Sequence, residues 1–210
     1  MYIPKQFRKE DSAEIIEFIR SHSFGVLFSQ HEGMPTATHL PFIVSTKDDG
    51  TITLLSHMAK ANPQWRSLDS QSGLAVFTGP HAYVSASWYE EKNTVSTWNY
   101  ISAHVHGKME IVQDENSLKT ILKEATDFYE KGFDKPWKLE EHEVTVDSML
   151  SGIVGLKMQV EKLEGKWKLN QHHTNVRKER VIEQLKKQNH YDSKEIARLM
   201  ETELNRRNKG

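Results

Sequence analysis

The sequence predicts an α+β fold in which short antiparallel strands form a barrel and helices interrupt them. Two observations carry that expectation. Strand-like runs recur along most of the chain, at Phe24–Phe28, 35–44, 51–55, 74–78, 82–85, 96–111 and 155–163. Helical periodicities fall between some of them, but never in the strand–helix–strand alternation that a doubly wound parallel sheet requires. The composition agrees with a globular chain, since 210 residues with 37% hydrophobic and 27% charged side chains suffice for a sizeable core.

Taken in order, Asp11-Ser12-Ala13-Glu14 has the pattern of a capping box. Ile15, Ile16, Phe18 and Ile19 then recur at helical spacing up to about His22. Phe24–Phe28 reads as a buried strand, His31-Glu32-Gly33 as a turn and 35–44 as a second strand. Lys47-Asp48-Asp49-Gly50 supplies hairpin turn chemistry before a third strand at 51–55. The strands at 74–78 and 82–85 are expected to be joined by a turn at Gly79-Pro80. In the long strand 96–111, Thr97, Asn99, Ile101, Ala103 and Val105 share one face, and Trp98, Tyr100, Ser102, His104 and His106 share the other. Leu118, Ile121, Leu122, Ala125 and Phe128 give helical spacing from Ser117 to about Gly132, and short connecting pieces follow at 137–139 and 147–150. A strand at 155–163 is expected to turn at Gly165. With no repeat or flexible linker in view, residues 1–170 form one expected domain. Residues 171–210 form a helical extension, with one helix at 176–188 capped by Asn175 and another from Asp192 to about Arg206.

The absence of cysteine removes disulfides, thiolate metal sites and Cys nucleophiles. No apolar run approaches ~18 residues and no basic, then apolar, leader is present, so the expectation is a cytoplasmic chain without membrane insertion. Net charge is −1, yet from Lys157 onward there are fourteen Lys and Arg against eight Asp and Glu. That asymmetry suits either a nucleic-acid or acidic-partner surface, or simply solvated helices. There is no nucleophile elbow, Walker loop or dinucleotide Gly-x-Gly-x-x-Gly, and no zinc finger. His104 and His106 offer two imidazoles, but no third ligand stands at metal-binding spacing in the sequence, and no metal is expected.

The stretch Ser56-His57-Met58-Ala59-Lys60-Ala61-Asn62-Pro63-Gln64-Trp65 follows a strand and opens a short helix, with Asn62 as N-cap and Pro63 at the first helical position. Free N–H groups at such a start, beside His57 and Lys60, favour a phosphate or carboxylate. The same residues also suit an ordinary strand-to-helix corner with a solvated lysine.

Three further stretches accompany this one, His39-Leu40-Pro41-Phe42, Phe77-Thr78-Gly79-Pro80-His81-Ala82-Tyr83-Val84-Ser85-Ala86-Ser87-Trp88-Tyr89, and Thr97-Trp98-Asn99-Tyr100. Together they resemble the PaiB family of FMN-binding negative transcriptional regulators, linked in bacilli to repression of sporulation and of extracellular protease synthesis. The resemblance runs from Met1-Tyr2-Ile3-Pro4 to about Leu185. It implies the FMN-binding split barrel shared with pyridoxamine-phosphate oxidases and flavin reductases, with homodimeric flavin sites. On that reading His57, Lys60 and the Asn62 helix start hold the FMN phosphate, while Thr38, His39, Thr97 and Asn99 face the ring or ribityl chain. The segment Gly165–His173 resembles the closing signature Lys-Leu-Ser-Gln-Asn-Arg but has Asn170 for Ser, His172 for Asn and His173 for Arg. If that Arg neutralises a phosphate, His173 does so only when protonated.

Three functions follow from the resemblance. The first is an FMN-binding repressor acting on DNA or through another regulatory protein. The second is a flavin-dependent oxidoreductase in which the protein positions and tunes the cofactor. The third is a dimeric interaction protein that has lost its flavin.

Overall fold

The computed structural model describes residues 1–47 and 49–207. Asp48 of the expected hairpin turn and residues 208–210 of the expected extension lie outside them. The chain runs β1 (Arg8–Lys9), α1 (Ser12–Ser21), β2 (Phe24–His31), β3 (Met34–Pro41), β4 (Ile43–Thr46), β5 (Ile52–Ala59), β6 (Ser72–Val84) and β7 (Thr97–Val112). It continues α2 (Glu115–Glu130), α3 (Glu143–Leu150), β8 (Ile153–Lys168), α4 (Asn175–Lys187) and α5 (Ser193–Arg207). Among the described residues the strands are hydrogen-bonded in the order β3-β2-β6-β7-β8-β5-β4, with β1 beside β8. The pairings β1–β8, β2–β3, β2–β6, β4–β5 and β5–β8 are antiparallel. The residues group into two compact units. One contains Met1–Ile15, Thr78–Ala103 and the described residues from Glu164 onward; the other contains Ile16–Phe77 and His104–Leu163.

In the second unit, β2 and β3 form a hairpin registered from Phe24↔Pro41 to His31↔Met34. Its turn residues Glu32 and Gly33 both take positive φ, the geometry a two-residue hairpin demands. The expected strand 35–44 is broken at Phe42, whose N–H donates to Ser23 O at 2.8 Å instead of entering a ladder. Helix α2 starts two residues earlier than its apolar spacing suggests, because Asp114 caps it by accepting from the Ser117 N–H at 2.9 Å. Leu118 and Ile121 of α2 then pack with Ile43, Leu55, Val112 and Leu150 into a buried cluster. Burying such side chains is worth about 1.5–3 kcal/mol each. Helix α3 replaces the short connecting piece expected there. Val144 and Met149 are exposed and only Leu150 is buried, so its apolar residues mark no continuous face.

In the first unit, Asp11 caps α1 by accepting from the N–H groups of Ala13 at 2.8 Å and Glu14 at 3.3 Å. Helix α4 begins one residue before its expected start. Its cap is Thr174, which accepts from the Arg177 N–H, rather than Asn175. Val181 and Leu185 of α4 and Ile196 and Met200 of α5 are buried where the two helices pack.

Two expected turns are absent. β6 passes straight through Gly79-Pro80, since its pairing with β2 covers only Leu74–Val76 and Pro80 withholds no N–H from that partner. β8 likewise continues through Gly165, which pairs with Lys9. A Cβ there would lie 2.6 Å from the Trp167 ring and 2.8 Å from Ile15, so glycine serves close packing and not a turn.

Candidate functional site

The Asn62 corner lies in the second unit. After β5 the chain turns, with the Asn62 N–H donating to Ala59 O at 2.9 Å, and a five-residue 3₁₀ helix runs from Pro63 to Ser67. Asn62 is its N-cap as expected, with Oδ1 accepting from the Gln64 N–H at 3.0 Å. A single 3₁₀ turn carries little dipole, so the anion-favouring field expected at this start is small. The Asn62 amide donates to Thr38 Oγ1 at 2.9 Å, and the Thr38 hydroxyl donates to Gln64 Oε1 at 2.5 Å. Gln64 has no exposed surface, and its Nε2 donates to Ser29 Oγ at 2.8 Å and more distantly to the carbonyls of Leu27 and Thr36.

This network ties the corner to β2 and β3 and uses most of its own hydrogen-bonding capacity. Lys60 is held through its backbone, its N–H donating to Gly152 O at 2.8 Å and its carbonyl accepting from Trp65 Nε1 at 2.9 Å. Its side chain is exposed. His39 is exposed on β3 and stacks on Phe24. His57, three residues before Lys60, lines an apolar cavity beside α2 and α3, and burial pushes its imidazole pKa down.

A second cluster lies in the first unit. A cleft of about 340 Å³ is lined by Phe7, Tyr89, residues 93–97, Lys168, His172, His173 and Arg177, together with Gln6. The turn after β8 presents its histidines. Asn170 takes φ 59°, a conformation Asn tolerates, and its carbonyl accepts from the His173 N–H at 3.0 Å. Gln171 braces the same turn by accepting from the Leu169 N–H at 2.7 Å and donating to Trp167 O. Phe7, His172, His173 and Tyr89 form a run of ring contacts, with centroids 5.4, 4.0 and 5.1 Å apart along the series.

The ammonium of Lys168 donates to Thr97 Oγ1 and Trp98 O, and burial, with Lys166 adding repulsion, lowers its pKa. Arg177 holds the Glu91 carboxylate through Nε and Nη2, and its Nη1 lies 3.3 Å from His173 Nδ1. A guanidinium only donates, so Nδ1 is the acceptor and the His173 proton belongs on Nε2. Burial first, then the neighbouring His172 and Arg177, push the His173 pKa down to about 4. His173 is therefore uncharged at neutral pH, and the cationic groups of this cleft are Lys168 and Arg177.

The structure thus brings Thr38 and Asn62 together, with Lys60 two residues before the cap, and it brings Thr97 and His173 to one cleft. Asn99 lines neither: it is fully buried, its Nδ2 3.3 Å from Met200 Sδ and its Oδ1 without a partner among the described residues. Sequence reasoning missed Lys168 and Arg177. Lys168 stands inside the quoted closing segment, and Arg177 lies in the first turn of α4, close after His173 and the Thr174 cap.

The model of a family described as "Putative FMN-binding domain" matches residues 1–162. Protease synthase and sporulation protein PAI 2 of Bacillus subtilis is 39% identical over 209 residues, covering 97% of this chain and 98% of the relative. Among solved structures, the FAD and heme binding protein of Mycobacterium smegmatis superposes with TM-score 0.57 at 16% identity, covering 77% of this chain and 73% of that one. A conserved hypothetical protein of Mycobacterium tuberculosis gives TM-score 0.56 at 16% identity, covering 83% and 96%. At such identities the structures speak to the fold alone, and it is the split barrel expected from sequence. With a family model spanning three quarters of the chain and a relative aligned almost end to end, the chain belongs to the FMN-binding, PaiB-related family.

Proposed function

We propose that this protein is an FMN-binding negative regulator of transcription that restrains sporulation and extracellular protease synthesis. The observation that carries the reading is the near end-to-end alignment with the Bacillus subtilis protein named for both processes. Expression of this chain in a Bacillus subtilis strain lacking that relative should lower extracellular protease activity. Unchanged protease output at normal expression would overturn the regulatory reading.

For the cofactor, Lys60 is assigned to the FMN phosphate. Its exposed ammonium sits on a backbone fixed on both sides, beside the rigid Thr38–Asn62–Gln64 turn, and His39 is exposed on the neighbouring strand. Thr38 and Asn62 act as positioning residues. FMN itself would supply redox-active absorbance and, if the protein turns over, hydride chemistry. Lys60→Ala should weaken FMN binding by about 1–3 kcal/mol, the range of a charge-assisted hydrogen bond, without changing thermal stability. A specific observation favours a second placement of the phosphate: the Thr97–Lys168–Arg177 cleft is concave and carries two cations beside aromatic rings. Equal FMN affinity in Lys60→Ala, with loss in Lys168→Ala, would move the phosphate to that cleft. The chain is further proposed to act in the cytoplasm as a homodimer, contacting DNA or another regulatory protein. Sedimentation at micromolar concentration should give twice the chain mass.

A further inference from the structure

In the second unit a cavity of about 210 Å³ lies beside β5, α2 and α3. Its walls are carbon, from Leu122, Leu139, Val146, Leu150 and Ile153, and no lysine, arginine or carboxylate lines it. Trp137 and Met149, 42% and 66% exposed, border it at the surface. The Trp137 ring is fixed by stacking on His142 at 4.8 Å and 3°, and its backbone N–H donates to Glu130 Oε2 at 2.9 Å. The stacked Trp137–His142 pair therefore forms one side of the rim.

Two side chains bring polarity into this lining. The Thr126 hydroxyl spends its proton on Leu122 O at 2.8 Å, leaving only acceptor capacity. His57 has no hydrogen-bond partner among the described residues, yet its ring nitrogens are not among the sealed, unsatisfied atoms, so they reach open space. Burial alone lowers its pKa, and a neutral imidazole offers one donor and one acceptor.

We propose that this cavity is a binding site for a single-ring aromatic, or similarly compact apolar, molecule carrying one neutral hydrogen-bonding group that meets His57. The size fits. A dry cavity of about 150 Å³ walled by aliphatic and aromatic side chains takes up benzene, so this one has room for a ring and a small substituent. Water there is easily displaced, because only His57 and the Thr126 oxygen can hold it and the rest of the lining is carbon. A carboxylate is a poor ligand, because no cation faces it and a charge would lose its hydration. A phenol satisfies both requirements, with its ring against the leucines and its hydroxyl against the imidazole. The site uses neither Lys60 nor the Lys168 cleft, the two placements weighed for the FMN phosphate, and it requires His57 to be free of the cofactor.

The probe is p-cresol, with toluene and benzoate for comparison, added to the full chain and followed by calorimetry and by Trp137 emission, using Trp137→Phe to identify that signal. p-Cresol should bind saturably with a dissociation constant on the order of a millimolar or tighter, as a ligand of so few atoms allows. His57→Leu should weaken p-cresol about three- to tenfold, the scale of one hydrogen bond, and leave toluene unchanged. Val146→Trp, which fills the cavity from a helix whose other residues are mostly exposed, should abolish binding of both while circular dichroism stays native. Absence of saturable p-cresol binding, retention of binding in a folded Val146→Trp, or benzoate binding as tightly as p-cresol would each overturn the proposal.

Discussion

The Asn62 corner and the Lys168 cleft are both rich in polar side chains, but they spend them differently. At the corner, Thr38, Asn62, Gln64 and Ser29 hydrogen-bond mainly to one another, and Gln64 has no exposed surface. In the cleft, Lys168 donates to Thr97 and Trp98 and Arg177 holds Glu91, yet both side chains still line a concavity, beside His172 and His173, whose pKa values burial lowers. A polar group that is satisfied internally fixes shape, whereas one left facing a cleft is available to a ligand. The two regions should therefore respond to mutation in opposite ways, the first through stability and the second through binding.

The largest effect expected is at Gln64. Gln64→Ala removes the hub of the corner and leaves the Thr38 and Ser29 hydroxyls and the Leu27 carbonyl short of partners. The loss should be about 3 kcal/mol in urea unfolding, from several broken hydrogen bonds and the cavity that remains. A loss below about 1 kcal/mol would show that the corner network is not structural and would erase the contrast with the cleft.

Asn99 sharpens the comparison from the other side, because the family resemblance places it among the flavin-facing residues and the structure buries it against α5. Its Oδ1 has no partner and its amide meets only a thioether. Replacing the orphaned amide by a side chain of similar volume removes a desolvation cost, so Asn99→Leu should raise stability by about 1 kcal/mol while FMN affinity stays constant. Loss of FMN affinity without loss of stability would restore Asn99 to the cofactor.

Much of the fold was legible because its signals are local. Asp11 caps α1, Asn62 caps its short helix, and the alternation along 97–105 buries the Asn99, Ile101, Ala103 and Val105 face. What failed depended on distant neighbours. Gly79-Pro80 and Gly165 look like turns, but the first falls where β6 has no β2 partner, and the second is small because Trp167 and Ile15 crowd it. The site divides in the same way. Asn62 as an N-cap is local and legible, but its bond to Thr38 on β3 joins two residues that the resemblance assigned to different parts of the cofactor. Lys168, Thr97 and Arg177 meet only once β7, β8 and α4 are in place, and the carbon lining around His57 is assembled from α2, α3 and β8, far from it in sequence.

Protonation offers a graded test. The folded pKa of His173, about 4, lies below its ordinary value near 6.5. For a depressed histidine the unfolded chain takes up the proton first, so the stability contribution is complete above about 6.5, declines as pH falls, and levels off below the folded pKa. Burial lowers His172 in the same direction. Chemical unfolding between pH 7 and 4 should show stability falling with acidity, and His173→Gln should flatten that slope. An unchanged slope, with the His173 ring resonance titrating near 6.5, would place the imidazole in solvent instead of against Tyr89 and Arg177.

The smallest effect, and the one that bears most directly on where the phosphate sits, is expected from Glu91. Its carboxylate occupies two of the Arg177 donors, and that pair is solvent-exposed, so Glu91→Gln should leave the unfolding midpoint nearly unchanged. What it changes is the field in the cleft, because Arg177 loses its counter-charge while Lys168 stays in place beside Thr97. If the FMN phosphate rests on Lys60 and not on Arg177, affinity should stay within about twofold of wild type. If the cleft holds the phosphate, removing the competing carboxylate should tighten FMN by roughly three- to tenfold at low salt, and the gain should fade as ionic strength rises. The two placements thus predict different responses to one mild substitution, and a single titration at two salt concentrations tells them apart.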